Sequence, residues 1–150
     1  MMNNFIPFLK NTINFHRSSK KKSRRVNSLD SFFNENSFLK FSPSKSLDIG
    51  CGAIVKNPFS ALEVFGVDMR EDLENNVLKS NLIIDGLPFQ DNSLNFCTAF
   101  DVLEHIPRQI YLDGEIQFPF INLMNEVSRV LKKDGLFFHT TPAYPSKFAF

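Results

Sequence analysis

The residues whose types and spacing could bind a ligand lie between positions 46 and 72, in the stretch SLDIGCGAIVKNPFSALEVFGVDMRED. Gly50 and Gly52 follow a short apolar run, and their lack of side chains lets a ligand approach the backbone closely. A second apolar run ends on Asp68, whose carboxylate could accept hydrogen bonds from the two hydroxyls of a ribose. The pattern therefore predicts a cradle for a nucleoside.

The spacing of the glycines favours a nucleoside cofactor without phosphates. A dinucleotide site would need the pattern G-x-G-x-x-G, and Val55 stands at the third glycine position. Between Gly52 and Val64, where Pro58 follows Asn57, only a turn or two of helix fits, with Asn57 as its cap. A helix this short is a poor anchor for a diphosphate. An NAD-binding oxidoreductase domain is kept as an alternative.

Five apolar runs bounded by turn residues predict strands, in the order SLDI, EVFGVD, NLII, LNFCTAF and GLFFHTT. An apolar stripe at helical spacing predicts a helix from about Pro119 to Lys133, with Gly135 as its stop. A shorter helix should start at Asp101 as its N-cap and end before Pro107. This alternation predicts an α/β fold with an open, mostly parallel, Rossmann-like sheet of five strands and helices on both faces. Ligands bind such sheets beyond the carboxyl ends of the strands, where the two glycines stand.

Four motifs resemble, in order, those of class I S-adenosylmethionine-dependent methyltransferases with a type 11-like domain: LDIGCG, VFGVD, LPFQDNSLNFCTAFDVLEHI and EVSRVLKKDGLFFHTTP. The resemblance covers about residues 46–142. It implies S-adenosyl-L-methionine as the cofactor and transfer of a methyl group to an acceptor, which we expect to be a small molecule. Ile54 stands where the family often has a third glycine, and the segment after it is short for the family.

The resemblance also implies which residues contact the cofactor. The loop after the first strand would lie along the methionine part, the acid ending the second strand would hold the ribose, and the methionine after it would pack on the adenine. A pair after the third strand would lie near the adenine edge, and the last residue of the fourth strand would lie under the cofactor. These residues are Asp48, Gly50, Cys51, Gly52, Asp68, Met69, Asp85, Gly86 and Phe100.

Glu104 and His105, just beyond the fourth strand, are the candidate catalytic residues. Methyl transfer from a sulfonium is an in-line displacement, so the enzyme chiefly positions the reactants. A base is needed only if the acceptor is a hydroxyl or a protonated amine. His105 could take up a proton near neutral pH, or it could equally be a surface residue that supports its loop. Glu104 more simply orients a neighbour or binds backbone amides, His139 is typical of a packed strand residue, and Tyr144 is a further acceptor-side candidate.

The composition is that of an ordinary globular protein: 150 residues, 43% hydrophobic, with a net charge of +1. Such a charge gives no overall attraction to nucleic acid or to a membrane. Residues 1–43 are predicted to be an N-terminal extension, and residues 44–150 the methyltransferase-like domain. The basic run from Arg17 to Arg25 within the extension is most simply a solvated linker, with RNA binding as the alternative. Cys51 and Cys97 lack the spacing of a disulfide framework or a metal site, so we expect reduced thiols and no metal.

Three further expectations concern the surroundings of the domain. No apolar run reaches the roughly 20 residues of a membrane span, and the N-terminus lacks the features of a secretory signal, so we expect a cytoplasmic protein. The family sheet usually has two more strands after GLFFHTT, which predicts a C-terminally incomplete domain. Its fifth strand would then be an exposed edge through which the protein could self-associate. A non-catalytic remnant that keeps the cofactor-binding fold is the main alternative to an active enzyme.

Overall fold

The computed structural model describes residues 44–142, which contain a five-stranded sheet, a two-stranded hairpin and one α-helix. The predicted N-terminal extension with its basic run, and Tyr144, lie outside these residues. The helix is α1, Pro119–Val130, and short 3-10 helices span Leu73–Asn75 and Leu103–His105. The strands are β1 Lys45–Ile49, β2 Glu63–Asp68, β3 Val77–Lys79, β4 Leu94–Phe100, β5 Ile110–Leu112, β6 Glu115–Gln117 and β7 Leu131–Thr140. None of the helices within 44–142 is long and apolar enough to cross a membrane.

The sheet has the strand order β3-β2-β1-β4-β7, and all neighbouring strands are parallel. This confirms the predicted open, parallel, Rossmann-like α/β fold of five strands, but within residues 44–142 an α-helix covers only one face of the sheet, where helices were predicted on both. The chain moves outward from β1 through β2 to β3 and then returns to β4 on the other side of β1. The order therefore reverses between β1 and β4, and the carboxyl ends of strands at such a switch point form the usual ligand crevice.

One face of the sheet packs against α1. Leu47 and Ile49 of β1 and Cys97 of β4 are fully buried there, together with Val127 and Val130 of the helix. The buried stripe of α1 matches the helical spacing of its apolar residues. Burial of these side chains sets which residues of each strand face the helix, and so which residues face the opposite side.

The opposite face is covered by the chain between β1 and β2. Phe59 stacks on Phe96 of β4 with ring centroids 4.2 Å apart, in a second buried cluster with Ala61 and Phe138. The short helix predicted after Gly52 is absent from this connection. Asn57, its predicted cap, instead donates to the Ala61 carbonyl at 3.0 Å and accepts from the Ala61 amide at 2.8 Å. A side chain that bonds the backbone in this way competes with helix formation.

The third strand was predicted in the wrong place, at NLII (residues 81–84). The strand is β3, a few residues earlier, and residues 81–84 form a turn. The Asn81 side chain accepts from the Ile83 amide at 3.1 Å, and Asp85 Oδ2 accepts from the Asn81 amide at 2.8 Å. Leu82 packs on the core from within this turn, so its apolar character reflects burial of a loop side chain rather than a strand.

The end of the long helix also differs from the prediction. Its last helical residue is Val130, three residues before the predicted end, because Leu131 is already extended with ψ 135° and begins β7. Pairing with β4 occurs at Leu131 and resumes at Leu136, so an irregular segment lies between them. Gly135, the predicted helix stop, lies within this irregular part of β7.

α1 is fastened to the loop before β4 by two side chains, Glu126 and Arg129. Glu126 Oε2 accepts from the Leu87 amide at 2.7 Å, and Arg129 donates to the carbonyls of Leu87 at 2.9 Å and Phe89 at 2.8 Å. The two side chains are also bonded to each other at 2.7 Å. The bond from Arg129 keeps the pKa of Glu126 below its ordinary value.

Replacing Arg129 by Met should lower the free energy of unfolding by about 2 kcal/mol, because two carbonyls and a half-buried carboxylate lose their donor. Equilibrium urea unfolding measures the difference. The stabilisation of Glu126 is present above its ordinary pKa and is lost as the pH falls through the lowered one, so the difference should shrink in acid. Lys133→Met removes an exposed charge and is the control. Equal midpoints for the two variants would refute this role of Arg129.

Candidate cofactor site

The loop after β1 adopts a backbone conformation that requires glycine. Gly50 and Gly52 both have φ +64°, in the left-handed region that favours glycine. The amides of Gly50 and Cys51 donate to the Val67 carbonyl at 2.9 and 3.3 Å, which ties the loop to the end of β2. A Cβ on Gly50 would lie 2.4 Å from Cγ2 of Val102, so any side chain at this position would also clash with Val102.

The structure brings the glycine loop and the acid of β2 into direct contact. Asp68 Oδ2 accepts a hydrogen bond from the Gly52 amide at 2.9 Å. Pairing of Ile49 with Val67 places Asp68 level with the start of the loop. A Cβ on Gly52 would meet no atom within 4 Å, so the space beyond the tip of the loop is open. Backbone free of side chains, a carboxylate and open space therefore occur together at the carboxyl ends of β1 and β2.

Asp48 holds this loop in place through buried hydrogen bonds. Its side chain is 1% exposed and accepts from Thr98 Oγ1 at 2.7 Å and from the Lys56 amide at 2.9 Å. Burial raises the pKa of Asp48, while the two hydrogen bonds and the nearby charge of Lys56 oppose the rise. Its bonds link the loop to β4 and to the chain beyond Gly52, so Asp48 positions the loop.

Cys51, between the two glycines, is buried and packs against β2. A Cβ on Gly66 would lie 2.5 Å from its Sγ, so the strand needs glycine there to admit the thiol. Burial, followed by the charges of Asp48 and Asp68, raises the pKa of Cys51 to about 11, so the thiol is protonated at neutral pH. Cys97 is also free and buried, and burial raises its pKa. Within residues 44–142 no cluster of side chains suited to a metal occurs.

The residues predicted to surround the adenine lie beyond β2 and β3. Met69 follows Asp68 and is 61% exposed, so its side chain is free to pack on a ligand. The Ser80 amide donates to the Asp68 carbonyl at 2.8 Å and keeps the next loop close. Asp85 and Gly86 also have structural functions. The Asp85 carboxylate closes the turn at residues 81–85, and Gly86 leaves room for the Glu126 carboxylate, which a Cβ would approach to 2.8 Å.

At the end of β4, Phe100 lies beneath Lys56, a residue that no sequence motif marked. The half-buried ring of Phe100 is 5.8 Å from that of Phe138, and Lys56 Nζ is 5.0 Å from its centroid. The only sequence signal for Lys56 is a basic residue in the short segment after Gly52.

Glu104 and His105 lie where they were predicted, just after β4, and both side chains are exposed in the 3-10 helix Leu103–His105. Asp101 does not cap that helix, contrary to the prediction. Its φ is 52°, and Val102 takes the cap position without a side-chain bond. Asp101 instead accepts from Thr140 Oγ1 at 3.0 Å and donates its amide to the Thr140 carbonyl at 3.0 Å, which joins the ends of β4 and β7.

The fold and this site define an α/β domain with a candidate nucleoside-cofactor site at its switch point. The family profile described as "Methyltransferase domain" matches residues 21–149, so the chain belongs to this family. The resemblance to class I S-adenosylmethionine-dependent methyltransferases is thereby confirmed. The match begins within the segment assigned to the N-terminal extension, and the domain boundary at residue 43 stays a prediction.

Solved structures share the fold. The YcgJ protein of Bacillus subtilis is 25% identical, with a TM-score of 0.50 over 74% of this chain and 48% of that chain. The PH0226 protein of Pyrococcus horikoshii OT3 is 23% identical, with a TM-score of 0.53 over 81% of this chain and 59% of that chain. Phosphoethanolamine N-methyltransferase 1 of Haemonchus contortus, solved with phosphoethanolamine and S-adenosylhomocysteine, is 13% identical. Its TM-score is 0.52 over 82% of this chain and 27% of that chain. The chain thus spans between 27% and 59% of the length of these structures. The comparison with curated proteins found no match.

Asp48→Asn should fold at least as stably as the wild type at neutral pH, whereas Asp48→Ala should lose about 1–3 kcal/mol. The Asn oxygen can accept from the Lys56 amide while its nitrogen donates to Thr98 Oγ1, and no charge is buried. In the alanine variant the Lys56 amide loses its acceptor. Urea unfolding of both variants measures these effects.

The pH dependence provides a second check on Asp48. An acid whose pKa is raised on folding binds its proton more tightly in the folded state, so stability falls as pH rises from its ordinary pKa to the raised one. The stability of Asp48→Asn relative to wild type should therefore increase from acidic to neutral pH. An Asn variant as damaged as the Ala variant would contradict this account.

Proposed function

We propose that this domain binds S-adenosyl-L-methionine in the cradle formed by residues 50–52 and Asp68, and transfers its methyl group to a small-molecule acceptor. The observation that carries the proposal is the hydrogen bond from the Gly52 amide to Asp68 Oδ2, with open space beyond Gly52. Membership of the methyltransferase family supports both the cofactor and the reaction type.

Each part of the cradle has a distinct role in this proposal. The Asp68 carboxylate accepts hydrogen bonds from the ribose hydroxyls through the lone pairs that the Gly52 amide does not use. Exposed Met69 packs against the adenine, with Asp85 and Gly86 at its edge, while Gly50 and Gly52 admit the methionine part and Phe100 lies beneath it. The bound cofactor supplies an electrophilic methyl group on a sulfonium. The chain contributes orientation and partial exclusion of water, which suit a step that removes positive charge from sulfur.

The oxidoreductase alternative gains no support. A dinucleotide needs a helix N-terminus for its diphosphate, and the described chain has no helix between Gly52 and β2. The family profile that matches the chain is also that of a methyltransferase domain.

His105 is the proposed general base where the acceptor needs one, with Glu104 orienting the acceptor or a neighbouring group. Both are exposed directly after β4, at the same edge of the sheet as the cradle. This placement supports a position on the acceptor side of the cofactor.

Three finer proposals remain from the sequence. Residues 1–43 form a separate extension, the protein is cytoplasmic, and β7 mediates self-association. For the last, β7 is an edge strand of the sheet within residues 44–142, and its outer backbone groups are suited to pairing with another chain. Size-exclusion chromatography tests it, and a monomer at every concentration would refute it.

Asp68→Asn should raise the dissociation constant for S-adenosylhomocysteine about tenfold or more. The variant keeps an oxygen that can accept from the Gly52 amide but loses the charge and one acceptor for the ribose. Isothermal titration calorimetry measures the affinity. Glu74→Gln, an exposed change in the 3-10 helix beyond β2, is the matched control and should bind as the wild type does. Equal affinity of Asp68→Asn and wild type would remove the ribose role.

His105→Asn should lower the rate of methyl transfer at least tenfold for a hydroxyl or ammonium acceptor, because a positioned base contributes about 10²–10⁴-fold. Affinity for S-adenosylhomocysteine should not change. The measurement is transfer of a radiolabelled methyl group to fractions of a cell extract, with Arg108→Gln as an exposed control. Cofactor binding by the wild type without transfer to any fraction would favour the non-catalytic alternative.

A further inference from the structure

Lys56 is held at a defined place beside the cradle although its side chain reaches solvent. Its amide donates to the buried carboxylate of Asp48, which fixes the backbone. Its ammonium lies 5.0 Å from the centroid of the Phe100 ring, at the carboxyl end of β4. An ammonium over an aromatic face is attracted by the negative face of the ring, so both ends of this residue are positioned.

Within residues 44–142 the ammonium forms no ion pair at contact distance, although its charge acts on the buried carboxylate of Asp48. The ion pairs formed there join Lys45 to Glu63 and Arg129 to Asp91 and Glu126. The charge of Lys56 nevertheless acts on the loop, since it opposes the rise in the pKa of Cys51 that burial produces. The open cradle therefore has a carboxylate, Asp68, on its β2 side and, on its β4 side, an ammonium that forms no contact ion pair within the described residues.

We propose that the ammonium of Lys56 binds the α-carboxylate in the methionine part of the cofactor. This inference rests on the proposed function, in which Asp68 holds the ribose. With the ribose at the end of β2, the methionine part crosses the glycine loop at the end of β1 and reaches the end of β4, where Lys56 stands. A carboxylate there completes a charge-assisted hydrogen bond with an ammonium that Phe100 and Asp48 already position.

The test compares two ligands that differ in the amino-acid part, whose α-carboxylate Lys56 would contact. S-adenosylhomocysteine carries the α-carboxylate, whereas 5′-methylthioadenosine keeps the adenine, ribose and sulfur but lacks the amino acid. Lys56→Gln should weaken S-adenosylhomocysteine about ten- to hundredfold and change the affinity for methylthioadenosine less than about twofold. Lys56→Arg should retain most of the affinity.

Lys79→Gln is the matched control, because it removes an exposed charge at the carboxyl end of β3, on the other side of the cradle. It should leave both affinities unchanged. If Lys79→Gln weakens S-adenosylhomocysteine as much as Lys56→Gln does, the effect comes from the overall positive charge near the site and not from a contact by Lys56. A Lys56→Gln variant that weakens both ligands equally, or neither, would also overturn the inference. If Asp68→Asn weakens binding while Lys56→Gln does not, only this inference fails. A wild type that binds neither ligand would overturn the proposed function as well.

Discussion

The parallel pairing of β1 with β2 is the constraint on which the candidate site depends. Ile49 pairs with Val67, and this register places Asp68 beside the loop that begins at Gly50. A shift of one residue would turn Asp68 to the helix-covered face and remove its bond with Gly52. Burial of Leu47, Ile49 and Val67 on the α1 side prevents such a shift. The apolar core therefore sets the position of a polar site that lies outside it.

A buried charge provides the second level of support. Asp48 is removed from water, which is costly for a carboxylate, and it has two donors in Thr98 and the Lys56 amide. These bonds hold the loop in a backbone conformation that non-glycine residues rarely adopt at Gly50 and Gly52. A loop that is already ordered loses less conformational entropy when a ligand binds. Burial of Asp48 thus costs free energy, but its hydrogen bonds keep the cradle ordered before a ligand binds.

Sequence patterns predicted those features that depend on long apolar runs and on glycine chemistry. They were sufficient for β1, β2, β4 and most of α1, and for the proximity of Gly52 and Asp68. They failed where a polar side chain bonds the backbone, as at Asn57 and Asn81, because such bonds replace the helix or strand that the neighbouring apolar residues suggest. Contacts between residues distant in sequence, such as Asp101 with Thr140, left no local pattern to detect.

The missing helix after Gly52 also determines the chemistry of the cradle. Three contacts order the connection to β2 in place of helical bonds: the Lys56 amide with Asp48, Asn57 with Ala61, and Phe59 stacked on Phe96. The chain is not helical at this point, and the Lys56 ammonium lies over the ring of Phe100 at the end of β4. The cradle consequently has the Asp68 carboxylate on its β2 side and the Lys56 ammonium on its β4 side. This arrangement of charges suits a ligand with hydroxyl groups at one end and a carboxylate at the other. The arrangement depends on the non-helical connection between Gly52 and β2, which carries Lys56.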